Sequence, residues 1–172
     1  MPGLIHIYCG DGKGKTTAAT GLAVRAAGAG KKVVFTQFFK DGSSSEIQVL
    51  QNVDNIHVIH CETVRGFWKS MTEEQKVRAR EDYTRLFSEV VAFAADADLL
   101  ILDEILSACN HGTVAEIAVT EFLNNKPEKL EVVLTGRNPS VQLLELADYV
   151  TEMQKVKHPY DCGIAARKGI EF

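Results

Sequence analysis

The sequence predicts an α/β fold in which one open, mostly parallel sheet carries helices on both faces. Three observations predict it. Apolar β-branched runs alternate with helical patterns along the chain. Most of those runs are continuous, as in strands buried on both faces, where half-exposed strands would alternate. The first strand also passes through a glycine-rich turn straight into a helix.

Each element follows from a local pattern. A strand at 4–9 leads through the glycines to a helix at 16–29, which Gly28 and Gly30 terminate. Strands are predicted at 32–38 and 56–59, with 41–45 and 62–71 as loops. A long helix at 72–95 opens on Thr72-Glu73-Glu74-Gln75, a capping-box pattern. A strand at 99–103, a helix at 114–124, a strand at 131–135, a helix at 140–147 and a strand at 149–153 complete the alternation. Parallel neighbours then require right-handed crossovers. The segment 155–172 has no simple period, but its apolar residues interleave with charges, which argues against disorder.

With 172 residues the chain is long enough for a core, and one domain, 1–172, is expected. A net charge of -4 without a basic face points away from a nucleic-acid partner. No charged stretch precedes an apolar one at the N-terminus, and no apolar run nears membrane-spanning length, so a cytoplasmic protein without a membrane partner is expected. Cys9, Cys61, Cys109 and Cys162 lie far apart and read as reduced thiols. Cys109-x-His111 lacks the second pair a metal site would need.

The run Cys9-Gly10-Asp11-Gly12-Lys13-Gly14-Lys15-Thr16-Thr17 sits between strand and helix, the layout of a phosphate-binding loop. Its N–H groups and the helix start attract anions. Lys15 supplies charge to the outer phosphates and the Thr16 hydroxyl is suited to Mg²⁺, so a nucleoside triphosphate is expected. Cys9 stands where the usual pattern has its first glycine, with Gly10 and Gly12 slightly displaced.

Leu99-Leu100-Ile101-Leu102-Asp103-Glu104 is a hydrophobic strand ending in acids, at the sheet edge where such folds hold Mg²⁺ and ligands. Gln37, at the end of the second strand, either reaches the metal or a phosphate or is ordinary strand-end polarity. Arg137, in Thr135-Gly136-Arg137-Asn138, either contacts phosphate bidentately or belongs to a turn before a helix. Phe67 and Trp68 cannot both face one core on a regular strand. One of them either meets a flat ligand or partner, or both pack on the long helix.

Together these residues make the chain resemble the P-loop type of ATP:corrinoid adenosyltransferases. The resemblance rests on the loop Gly10–Thr17, on Leu102-Asp103-Glu104, on Leu134-Thr135-Gly136-Arg137, and on the tail. The tail reads Lys157-His158-Pro159-Tyr160-Asp161-x-Gly163-Ile164-x-Ala166-Arg167-x-Gly169-Ile170-Glu171 and is the most specific piece, since other P-loop proteins do not carry it. The missing first glycine is usual in that family. Adjacent Phe67 and Trp68 depart from the family's Gly-Phe-Thr-Trp spacing.

The resemblance implies transfer of the 5′-deoxyadenosyl group of ATP to Co(I) of a reduced corrinoid, with triphosphate released. It implies Lys15 and Glu104 as catalytic residues, and Gly10, Asp11, Gly12, Lys13, Gly14, Lys15, Thr16, Thr17 and Arg137 as ATP contacts. It further implies Phe67 and Trp68 against the corrinoid, Mg²⁺ or Mn²⁺ on Thr16, Glu104 and Gln37 with Asp103 as second choice, and segment 155–172 over the active-site edge. A homodimer and a flavin-type reductant protein are implied partners. A phosphotransferase or ATPase, or a non-catalytic ATP sensor, remains the alternative by motif alone.

Overall fold

A computed structural model describes residues 2–40, 42–61, 68 and 71–171. Six strands, β1 (Ile5–Cys9), β2 (Val33–Gln37), β3 (Ile56–His60), β4 (Leu99–Asp103), β5 (Glu131–Thr135) and β6 (Tyr149–Glu152), form one sheet in the order β3-β2-β4-β5-β1-β6. Every pairing is parallel. Among the described residues six α-helices connect them: α1 (Lys15–Gly28), α2 (Ser45–Leu50), α3 (Glu73–Ala94), α4 (Ile105–Asn110), α5 (Glu116–Asn125) and α6 (Val141–Leu146), and a 3-10 helix (Pro159–Cys162) lies in the tail. No helix among the described residues is long and apolar enough to cross a membrane.

The period of two along each strand divides the core into two layers. Val33, Phe35, Leu99, Ile101 and Val133 face α1 and α2, where Ala19, Ala23, Ala26 and Ala27 let the helix lie close to the sheet. Val34, Leu100, Leu102, Val132 and Leu134 face the opposite layer, which holds α3, α4, α5 and α6. The central strands β2 and β4 are buried at all five positions, as continuous apolar runs predict. β1 alternates and β6 is exposed at every residue. β6 ends the sheet, so one of its edges and both its faces lack cover.

Two helices have no counterpart in the sequence reading: α2 starts at the last residue of the predicted 41–45 loop, and α4 follows β4 after a single residue. Each is six residues long, too short to show a helical period. The capping box at Thr72 is present: Gln75 N donates to Thr72 Oγ1 at 3.2 Å and Thr72 N to Gln75 Oε1 at 2.8 Å.

Candidate functional site

The site lies at the carboxyl ends of β1, β2, β4 and β5. Strand parity assembles it. Gln37, Asp103 and Thr135 end β2, β4 and β5, and each shares parity with the residues that face α1. Gln37 pairs in register with Asp103, and Thr135 with Tyr8 of β1. Three polar side chains therefore emerge side by side beneath the start of α1.

The glycine-rich loop enters that helix. Gly14, its N-cap, has φ of 119°, which a side chain would make costly. Gly12 N donates to Met153 O at 2.6 Å, and a Cβ on Gly12 would lie 2.6 Å from the same oxygen. The segment after β6 thus presses on the loop and requires glycine there. Buried Lys15 turns back so that Nζ donates to Gly12 O at 2.8 Å. Burial draws its ammonium below the usual lysine range, Glu104 opposes that shift and Arg137 adds to it.

Asp103 is fully buried and sits at the centre of the network. Thr16 Oγ1 donates to its two oxygens at 2.9 and 3.1 Å. Thr135 Oγ1 donates at 2.6 Å and itself accepts Glu104 N at 2.9 Å. Gln37 Nε2 donates at 3.1 Å and also reaches Glu46 Oε1 at 2.9 Å. Burial pushes the Asp103 carboxyl up, against Lys40 and the threonine hydroxyls that favour its charge. Glu104 adopts φ of 61°, a left-handed value that ends β4 sharply and starts α4. Its carboxylate accepts from Ser107 Oγ at 2.6 Å.

The donor set suits a hard divalent cation. Hydroxyl and carboxylate oxygens converge while the Gln37 amide turns its nitrogen to them, and such cations take oxygen ligands. Gln37 Oε1 is buried without a hydrogen-bond donor. Rotating that amide would set its oxygen against two carboxylates, so the observed orientation is the favourable one.

The other sequence-predicted residues fall around this centre. Asp11 Oδ1 lies 3.4 Å from Arg137 Nε, which brings the turn after β5 to the loop. Lys13 is exposed and donates to Ile170 O of the tail at 2.9 Å, with Glu171 at 3.8 Å. Exposed Thr17 lines a cleft of about 350 Å³ with Thr16, Thr20, Glu46, Ile170 and Glu171. Trp68 is half-buried, stacked on His111 at 5.4 Å and 19°, with Phe39 edge-on at 6.1 Å. Lys76 and Arg80 of α3 each lie 5.8 Å from its ring. Phe67 lies outside the described residues.

Sequence reasoning did not single out Lys40, Glu46, Phe39 or His111. Glu46 belongs to the unread α2. His111 had been weighed only as a partner for Cys109, which is largely buried and whose thiol burial and nearby Glu116 push up to about 12. No sequence pattern announces that Lys40 meets Glu46 or that Phe39 meets His111.

Residues 1–172 match the family described as "ATP:corrinoid adenosyltransferase BtuR/CobO/CobP". The corrinoid adenosyltransferase of Escherichia coli strain K12 is 34% identical over 173 residues, covering 99% of this chain and 86% of its own. That of Pseudomonas aeruginosa is 33% identical over 171 residues, covering 99% and 84%. Among solved structures, the KaiC-like protein PH0186 from Pyrococcus horikoshii OT3 matches with a TM-score of 0.55 at 17% identity, over 99% of this chain and 76% of that one. That likeness is one of fold.

Proposed function

Because the chain belongs to the ATP:corrinoid adenosyltransferase family, we propose that it transfers the 5′-deoxyadenosyl group of ATP to Co(I) of a corrinoid and releases triphosphate. The observation that carries this proposal is the convergence of Thr16, Gln37 and Thr135 on buried Asp103 beside the glycine-rich loop. That arrangement suits a metal-bound triphosphate at the carboxyl edge of the sheet.

The cobalt electron pair attacks C5′ in line, the Co–C5′ bond forms, and the C5′–O bond breaks with its electrons on the triphosphate. Co(I) is already a strong nucleophile, so the protein's task is to position and to neutralise. Lys15, Lys13, Arg137 and the N–H groups of Gly10 to Thr17, Asp11 included and Gly12 excepted because Met153 O holds it, take up the charge that grows on the leaving group. Thr16, Glu104, Gln37 and Asp103 would hold Mg²⁺ or Mn²⁺, which when bound neutralises the triphosphate. Glu104 acts through its carboxylate once that leaves Ser107. Trp68, and Phe67 with it, would form the apolar wall against the corrin ring. Alignment of C5′ with cobalt is worth roughly 7–11 kcal/mol in favourable systems.

The chain would act as one domain, with segment 155–172 over the active-site edge. Support for that placement is the hydrogen bond from Lys13 to Ile170 O. Its four cysteines are free, which accords with a reducing cytoplasm. A homodimer served by a flavin-type reductant protein completes the proposal, on family resemblance.

The test is anaerobic incubation with MgATP and prereduced cob(I)alamin, followed optically and by chromatography of the phosphate product. Light-sensitive alkylcobalt with triphosphate is expected. ADP and phosphate without alkylated cobalt would overturn the proposal in favour of a phosphotransferase or ATPase, and no turnover would favour a sensor.

A further inference from the structure

β2 ends in a turn whose two sides serve different parts of the site. After Gln37, Phe38 enters the core and its N–H donates to Asp103 O at 2.9 Å. Phe39 then takes φ of 58°, a left-handed value that costs about 1–2 kcal/mol for a residue with a side chain. Its ring lies 5.0 Å from Tyr83 and 5.6 Å from His111, and these contacts hold the strained turn. The next residue, Lys40, runs the opposite way. Its Nζ lies 3.5 Å from Glu46 Oε1 and 3.8 Å from Asp103 Oδ2.

Two groups therefore bridge the same pair of carboxylates: the Gln37 amide and the Lys40 ammonium. A fully buried carboxylate is costly without a countercharge. Among the described residues, Lys40 is the cation within ion-pair distance of Asp103. Glu46 anchors it from the first turn of α2, itself fixed by buried Ile47 and Leu50. The lysine is less than a third exposed, so this contact is screened less than a surface pair.

We propose that Lys40 is a positioning residue for the adenosyl transfer, anchored by Glu46 so that its ammonium holds the Asp103 carboxylate on Thr16. The inference rests on the function proposed above. Lys40 acts through Asp103 and Thr16, and what it sets is how well the metal–triphosphate unit is received. The sequence-read site ended at Gln37 on this strand; the structure extends it by one turn and adds the first turn of α2.

The test compares Lys40→Met, Lys40→Arg and Glu46→Gln. Affinity for a fluorescent ATP analogue is measured with and without Mn²⁺, beside kcat and KM with prereduced cob(I)alamin. Lys40→Met is expected to weaken Mn²⁺-dependent binding and to lower kcat about tenfold, as loss of a group supporting a metal ligand does. Metal-free nucleotide binding and KM for the corrinoid hold, and Lys40→Arg restores most of the loss. Glu46→Gln, which keeps its size, shows a smaller loss of the same sign and carries the test if Lys40→Met does not fold.

Unchanged or tighter Mn²⁺-dependent binding in folded Lys40→Met would overturn the proposal. So would equal losses with and without metal, which would mean that Lys40 meets the phosphates directly. A wild type that binds the nucleotide yet makes no alkylcobalt would sink the function proposed above, while the metal dependence of binding would still judge Lys40.

Discussion

The phosphate loop and the C-terminal tail meet at Lys13, yet they are built on opposite principles. On the loop side, Lys15 and Asp103 are buried, and Asp103 receives hydrogen bonds from three other elements. On the tail side, residues 159–170 are all exposed, with Tyr160, Ile164 and Ile170 open to solvent. The tail rests on Lys13 and closes on itself through Arg167 and Glu171 at 3.0 Å. A buried network fixes geometry whether or not substrate is bound. An exposed segment with so specific a sequence gains little folding energy from it, which points to ligand contact.

The largest expected effect breaks that contrast at its buried end. Lys15→Ala or Thr16→Ala should lower kcat by about 10²–10³, as loss of one preorganised charge-stabilising donor does. Both should keep the far-UV circular dichroism of the fold, since neither is among the apolar residues that form the two core layers. Wild-type turnover in either folded variant would remove the loop from the chemistry.

The same contrast explains what the sequence could reveal. The loop, α1 and β4 are contiguous, with strong periodicity and fixed spacing, so their existence and the acids at 103 and 104 were legible. What no spacing could show is which carboxylate meets Thr16. That depends on parity: Asp103 shares its face with Leu99 and Ile101, and the left-handed turn at Glu104 sends the next side chain to Ser107. Lys40 and Glu46 stayed hidden because a two-residue turn and a six-residue helix carry no period. The tail was legible only as a likeness, since its short 3-10 helix at Pro159–Cys162 spans too few residues to show a period.

Trp68 stands between the two regimes, half-buried in a cluster with His111 and Phe39. If it presses on the corrin ring so that Co(II) sheds its lower axial ligand and is reduced more easily, Trp68→Ala should slow turnover from Co(II), with a reduced flavin supplying the electron, more than from prereduced Co(I). The difference should be about tenfold, the size of a lost aromatic contact of about 1–1.5 kcal/mol. Equal losses with both substrates would return Trp68 to a packing role on α3.

The smallest effect tests how firmly the tail is held. Hydrogen bonds from the Arg167 guanidinium and from its backbone N–H bring the Glu171 carboxyl from 4.5 down to about 2. A carboxyl depressed in the folded state stabilises that state above its ordinary value and loses the contribution as pH falls through the depressed one. The tail contact should therefore persist at pH 5 and above and fade between about 4.5 and 2. Because the pair is open to solvent, added salt should move the midpoint back toward the ordinary value. Carboxyl NMR of the wild type should find a midpoint near 2, and Arg167→Ala should raise it only part of the way back, since the backbone N–H of residue 167 and Lys13 remain. An ordinary midpoint in the wild type would mean that the tail does not close on itself through Arg167, and that Lys13 alone holds it to the phosphate loop.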